Sequence, residues 1–233
     1  ITPLWQRSQC SSMQLADLVN DGIWAAIYFV WVMFVVQVVS KVFFGALVSR
    51  GLKRNVAVYY TRKLIHILAG GVVAVLAPYT FHEPFIPALL AGILALFTYL
   101  PHRTGKLMDW FQVSDNAYET NFCIAWGASL LVLWLITGNP FIAVVPPMMI
   151  SFGDAVTGIV RNAIFGRRTK HWAGNAAMAA VTLPLGFIYA GLSGVLAAAA
   201  STIIERFEFN PVDDNILIAV VSTLVLLVTF GLT

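Results

Sequence analysis

Charged residues are scarce in this chain. They make up 11% of its 233 residues, where a soluble domain carries roughly a quarter. That shortage excludes an ordinary hydrated surface. Strict alternation of apolar and polar residues is also missing, which excludes an outer-membrane barrel. Only two cysteines occur, Cys10 and Cys123, too few for a disulfide framework and without metal-ligand spacing. Neither a Walker sequence nor a kinase-type glycine loop appears. The net charge of +3 is too small to argue for nucleic acid, and no nucleic-acid partner is expected. The first 20 residues lack the apolar core and small-residue cleavage site of a signal peptide. Residues 1–22 therefore read as a tail, with an interfacial helix over 12–21, and residues 23–233 as one integral membrane catalytic domain. No linker, low-complexity tract or repeat divides it.

What is present is long apolar runs: 59% of the residues are hydrophobic. Eight spans are expected, at about residues 23–48, 63–79, 84–100, 120–137, 140–165, 174–190, 192–205 and 215–232, against about 20 helical residues per crossing. The fold class is thus all-α, a polytopic membrane bundle. Only Ala190-Gly191-Leu192 separates the sixth span from the seventh, so seven spans with one long bent helix is the alternative. With eight spans, Arg50, Lys53, Arg54, Arg62, Lys63, Arg103, Lys106, Arg167, Arg168, Lys170 and Arg206 share one side, and only Arg7 lies on the other. By the positive-inside rule that side is cytoplasmic, and both termini lie outside.

The fifth span breaks the apolar pattern. "SFGDAVTGIVRNAIFGRRTKHWAGN" follows Pro146 and Pro147, which should interrupt the helix. It places Asp154, Thr157, Gly158 and Arg161 on one helical face. An ionised Asp in hydrocarbon costs at least ~2.5 kcal/mol and needs a partner or a wet cleft. One reading is an Asp154–Arg161 pair that locks the bundle. The other is a hard-cation ligand that binds Mg²⁺, with Arg167, Arg168 and Lys170 meeting the phosphates of a nucleotide. "TRKLIHILAGG" opens the second span and puts Arg62, Lys63 and His66 at the same edge. His66 could bind phosphate or move a proton, or be a satisfied core histidine. "IIERFEFNPVDDNI" is acidic among basic loops; Glu205, Asp213 and Asp214 could bind a second Mg²⁺ or orient a hydroxyl, and Asp213 or Asp214 should cap the last helix. Glu119, ahead of the fourth span, could be another inward carboxylate and receives no catalytic role, while Asp115 or Asn116 should cap that helix. His102 and His171 read as surface loop residues.

"GDAVTGIVRNAIFGRRTKHWAGN" resembles the signature of the polyprenol kinase family, which includes dolichol and phytol kinases and is related to membrane CTP-dependent cytidylyltransferases. The resemblance rests on Gly153-Asp154, Gly158, Phe165-Gly166, Lys170 and Gly174, on Arg62-Lys63 with His66, and on Glu205 with Asp214-Asn215. It covers roughly residues 60–231. His171 stands where the family has Ser or Thr, and Ala173 where it has Glu. The resemblance implies a lipid-alcohol kinase. Its metal site would be Asp154 and Asp214, and its catalytic set Asp154, His66, Lys170 and Glu205. Its phosphate site would be Arg62, Lys63, Gly153, Gly158, Arg161, Gly166, Arg167, Arg168 and Gly174, with Asp213 and Asn215 nearby. CTP is the implied donor, Mg²⁺ the cofactor, and an isoprenoid alcohol entering from the bilayer the acceptor. A phospholipid cytidylyltransferase could use the same residues, and a cation-coupled transporter would also explain a broken span with a buried acid.

Overall fold

Long apolar segments must satisfy their backbone groups internally when no water is at hand, and a helix does so within one segment. The computed structural model describes residues 15–167, 169–207 and 212–230. Their helices are α1 (Leu15–Ser49), α2 (Arg54–Thr80), α3 (Phe85–Thr104), α4 (Tyr118–Thr137), α5 (Pro140–Phe165), α6 (Trp172–Ile204) and α7 (Asp214–Thr229). The first six are long and apolar enough to cross a membrane, and α7 is shorter at 16 residues. This is an all-α multi-pass bundle. The first helix starts at Leu15, so residues 15–22 belong to it rather than to a separate tail.

α6 is one stretch along the chain but two rods in space. Ala190 and Gly191 leave helical geometry, and Gly191 takes φ +55°. The Asn175 side chain donates to the Thr202 carbonyl at 2.6 Å, although 27 residues of straight helix would separate them by about 40 Å. The two arms therefore lie antiparallel. Gly186 and Gly194 pack backbone to backbone, where a Cβ on either would overlap the other. With the reversal at Ala190–Gly191, the eight-rod arrangement expected from sequence is obtained.

Two irregularities shape the site. α5 is interrupted at Val144 (φ −86°, ψ −4°), and Pro146 and Pro147 sit in the first turn of the resumed helix, where a missing N–H leaves no bond unmade. Wider π-helical turns occupy His66–Gly71 in α2 and Met149–Gly153 in α5. They flank His66 and Asp154, the type of irregularity that re-aims side chains at functional sites.

α5 forms the centre: 78% of its most apolar window is buried, against 22% for α1 and for α3. Leu89, Leu96, Ile188 and Val228 face outward, whereas Asp154, Arg161 and Glu205 are buried. Polar groups inside and apolar groups outside is the inverse of a soluble protein and fits a lipid surround. By alternation of the rods, the loop residues 50–53, 105–117, 166–167, 169–171, 205–207 and 212–213 gather at one end of the bundle. Every Lys and Arg among the described residues lies in those loops or within about three turns of them.

Candidate functional site

The polar centre starts where α2 crosses α5. Lys63 Nζ donates to Asp154 Oδ2 at 2.5 Å, and His66 Nδ1 lies 3.3 Å from the same oxygen. The His66 approach is close but not aligned as a hydrogen bond. All three groups are buried. Gly158 permits this crossing, because a Cβ there would collide with the Lys63 and Tyr59 side chains. The Arg62 guanidinium rests over the Tyr118 ring at 4.4 Å, a cation–π contact, and the His66 ring stacks on Phe122 with centroids 4.1 Å apart.

About two turns toward the loops, Arg161 organises a second layer. Its Nη1 and Nη2 donate to the two Glu205 oxygens at 2.7 and 2.8 Å, the planar fork that suits a carboxylate. Nη2 also donates to Asn175 Oδ1 at 2.8 Å, and Nε to the His171 carbonyl at 2.8 Å. Lys170 ties this layer to α7. It donates to the Glu205 carbonyl at 2.6 Å, to Glu205 Oε1 at 3.1 Å and to Asp214 Oδ2 at 2.9 Å. Burial disfavours the Lys170 ammonium, but Asp214 and Glu205 outweigh it and raise its pKa above the ordinary value. Asp213 caps α7, accepting from the Ile216 amide at 3.2 Å. Burial, reinforced by Asp214, pushes its carboxyl up to about 6.

These pairings bring Asp154, Glu205 and Asp214 together, with one carboxylate oxygen of each within 4.8 Å of the others. Three buried oxygen donors suit a hard cation such as Mg²⁺, so the donor set fits. Lys63, Arg161 and Lys170 already balance the three carboxylates in charge. A bare cation would add uncompensated charge to this cluster, whereas a cation carrying a polyphosphate would not.

Two cavities share wall residues, and the smaller reaches Asp214 of the triad. The smaller, about 20 Å³, is walled by Tyr59, Arg62, Lys63, His66, Tyr118, Asp214 and Asn215. The larger, about 90 Å³, is apolar and runs between α1, α2, α3 and α4 from Arg62 and His66 to Val73 and Pro87. Arg62 and His66 line both. Arg62 Nη1, Asn215 Oδ1 and both Glu119 oxygens are buried without a hydrogen-bond partner among the described residues, a costly state unless something else completes them.

Several sequence expectations take a different place here. Arg161 does not pair with Asp154; its three guanidinium nitrogens are committed to Glu205, Asn175 and a backbone carbonyl, so it fixes Glu205 instead of facing open space. The glycines expected to admit phosphate admit protein. Gly153 makes room for Met178 and Thr182, and Gly174 for the Arg161 side chain itself. Gly166 takes φ +62° to end α5, a left-handed helix stop. Arg167 is exposed beyond it, and Arg168 lies outside the described residues. α4 has Ala117 at its N-cap with no side-chain cap bond, so neither Asp115 nor Asn116 caps it. His102 is no surface residue: its side chain is 12% exposed and lies 3.6 Å from Glu119. His171 accepts from the Ala173 amide at 3.2 Å and caps α6, the task Ser or Thr performs elsewhere.

The expectations that come together are Arg62, Lys63, His66, Asp154, Lys170, Glu205, Asp214 and Asn215. Asn175 is additional; its signal was a single amide in an apolar run. Glu119, expected as an inward carboxylate without a role, is buried and lines the larger cavity. No family model, no curated protein and no solved structure matches the chain.

Proposed function

We propose that this protein is a membrane lipid-alcohol kinase of the polyprenol kinase type, acting at the cytoplasmic face on an isoprenoid alcohol with CTP as donor. The observation that carries the reading is that an apolar cavity and a polar one share Arg62 and His66 in their walls. An enzyme joining a hydrophobic acceptor to a charged donor needs both compartments to open on one point. The clustering of Lys and Arg at that end supports the cytoplasmic assignment.

Asp154, Glu205 and Asp214 would hold Mg²⁺. Such an ion would supply positive charge to offset the negative charge that develops on the transferring phosphoryl group. Arg62, with a free donor beside the polar cavity, binds the transferred phosphoryl group. Lys63 holds Asp154 in position, and Arg161 with Lys170 does the same for Glu205 and Asp214. The alcohol oxygen attacks the terminal phosphorus; its O–P bond forms as the bond to the leaving nucleoside diphosphate breaks. His66 turns Nδ1 toward Asp154 and takes the hydroxyl proton on its other ring nitrogen. Phosphoryl transfer asks mainly for positioning and electrostatics, which suits a site made of paired charges without a covalent nucleophile.

The test uses purified protein in detergent, a prenol, Mg²⁺ and CTP labelled at the γ position. Label in the lipid fraction is the expected result. Label released as pyrophosphate, with the cytidylyl group in the lipid, would replace this reading by the cytidylyltransferase. Absence of nucleotide turnover, with cation uptake into sealed vesicles, would replace it by a transporter.

A further inference from the structure

Among the described residues, the hydrogen-bonding side chains that line the apolar cavity have an assignment in the proposed chemistry or a bond already made, as Trp126 has to the Gly70 carbonyl at 3.2 Å, with one exception. Thr98 donates to carbonyls of its own helix and meets Thr120 at 3.2 Å. Arg62 and His66 belong to the junction. Glu119 is left. It lines the cavity, is 7% exposed, and neither carboxylate oxygen has a donor. Its ionisable neighbour is His102, whose Nε2 stays at 3.6 Å and has no hydrogen-bond partner among the described residues. Glu119 stands one helical turn toward the loop end from Phe122, on which His66 stacks. An acceptor with no donor, at the head of an apolar slot beside the reacting junction, is half of a recognition contact.

We propose that Glu119 is the acceptor for the lipid's hydroxyl, and that the slot above it selects a single-chain lipid alcohol. This rests on the kinase reading for the fate of the alcohol but not for its binding. Arginine has donors only, so Arg62 cannot accept the O–H. The second ring nitrogen of His66 takes the proton in the transfer step, and the Thr98 hydroxyl already meets two carbonyls of its own helix and Thr120. The Glu119 carboxylate, with two oxygens and no donor among the described residues, is the stronger acceptor in the complex without nucleotide. A cationic head group is disfavoured because Arg62 lines the same cavity. The wall from Arg62 to Val73 spans about 16 Å of helix, and its remaining lining is aliphatic and aromatic, with Trp126 and Phe97 along the sides. Glu119 is a positioning residue for the acceptor, upstream of the phosphoryl transfer.

The experiment measures equilibrium binding of tritiated farnesol and of farnesyl methyl ether by scintillation proximity, on the full chain in detergent without nucleotide. The ether keeps the chain and loses the donor. Wild-type protein should favour the alcohol by about tenfold, the value of one charge-assisted hydrogen bond in a buried site. Glu119→Gln should cut that preference to about threefold and Glu119→Leu should erase it, with ether binding unchanged in both. Unchanged ether binding also certifies that the variants fold. If the wild type does not distinguish alcohol from ether, or if both variants keep its preference, the proposal falls while the kinase reading stands. If the preference depends on Glu119 but no alcohol is ever phosphorylated, the kinase reading falls and this one stands.

Discussion

The two ends of the bundle handle buried charge in opposite ways. At the end away from the loops of basic residues, Asp21 is fully buried and fully used. Its carboxylate accepts from the amides of His82 and Glu83 at 3.0 to 3.3 Å and pairs with His82 Nδ1 at 2.8 Å. The result is a clasp that fixes the start of α1 to the α2–α3 turn, with no valence left over. At the other end, Lys63–Asp154, Arg161–Glu205 and Lys170–Asp214 form a connected layer, and Arg62, Asn215 and Glu119 remain incomplete around it. A satisfied buried charge holds a fold together. An incomplete one, beside a cavity, is a place for a ligand, because its desolvation has been incurred and its bond has not been made.

The largest effect should come from breaking the connected layer at Asp154. Asp154→Asn leaves Lys63 buried against a neutral amide, and removing one partner of a buried pair costs about 3–5 kcal/mol. Activity should fall by at least about a hundredfold, and thermal stability should fall with it. Lys63→Met combined with Asp154→Asn separates the two effects, because it removes both charges. We expect melting in detergent to recover toward wild type while kinase activity stays absent. A double variant that melts normally and turns over at the wild-type rate would show the pair to be a bundle lock.

Arg62→Met addresses the incomplete part. Since Arg62 Nη1 has no acceptor, little internal bonding is lost, and the protein should fold and insert as before. The KM for nucleotide should rise by about ten- to a hundredfold, the worth of a bond to a charged group, while prenol binding without nucleotide holds steady. An unchanged nucleotide KM would return Arg62 to its contact with Tyr118 and nothing more.

How far the sequence led differs between these levels. The rods were legible because hydrocarbon demands uninterrupted apolar helices, and the hairpin in α6 because Gly191 supplies the reversal between two such runs. The gathering of Asp154, Lys63, Lys170, Glu205 and Asp214 at one end followed from span parity. The pairing was not legible. Asp154 and Arg161 share a helical face but stand two turns, about 10 Å, apart along the axis; each finds a nearer partner on another rod, 91 and 44 residues away. Periodicity reports faces, not neighbours. The glycines misled for the same reason: smallness signals a close approach without saying whether ligand or helix makes it. Glu119 was legible as an inward carboxylate but not as one with a task, because the cavity it lines is walled by residues of four helices that no periodicity brings together.

The smallest effect belongs to the clasp, and it sharpens the contrast through pH. The Asp21 hydrogen bond raises His82 above its ordinary value of 6.5. A histidine raised in the folded state contributes stability that is complete below the unfolded pKa and is lost as pH rises through the higher folded value. The His82 side chain is 51% exposed, so solvent screens the pair and the contribution is small. Melting curves between about pH 5 and pH 8 should therefore show a slight decline for wild type that His82→Ala removes, and activity at fixed pH should be unchanged in that variant. Asp21→Asn should lower stability further, because it also weakens acceptance of two backbone amides. Loss of catalysis in His82→Ala would mean that the clasp and the site are one unit, and the division between a structural end and a working end would have to be abandoned.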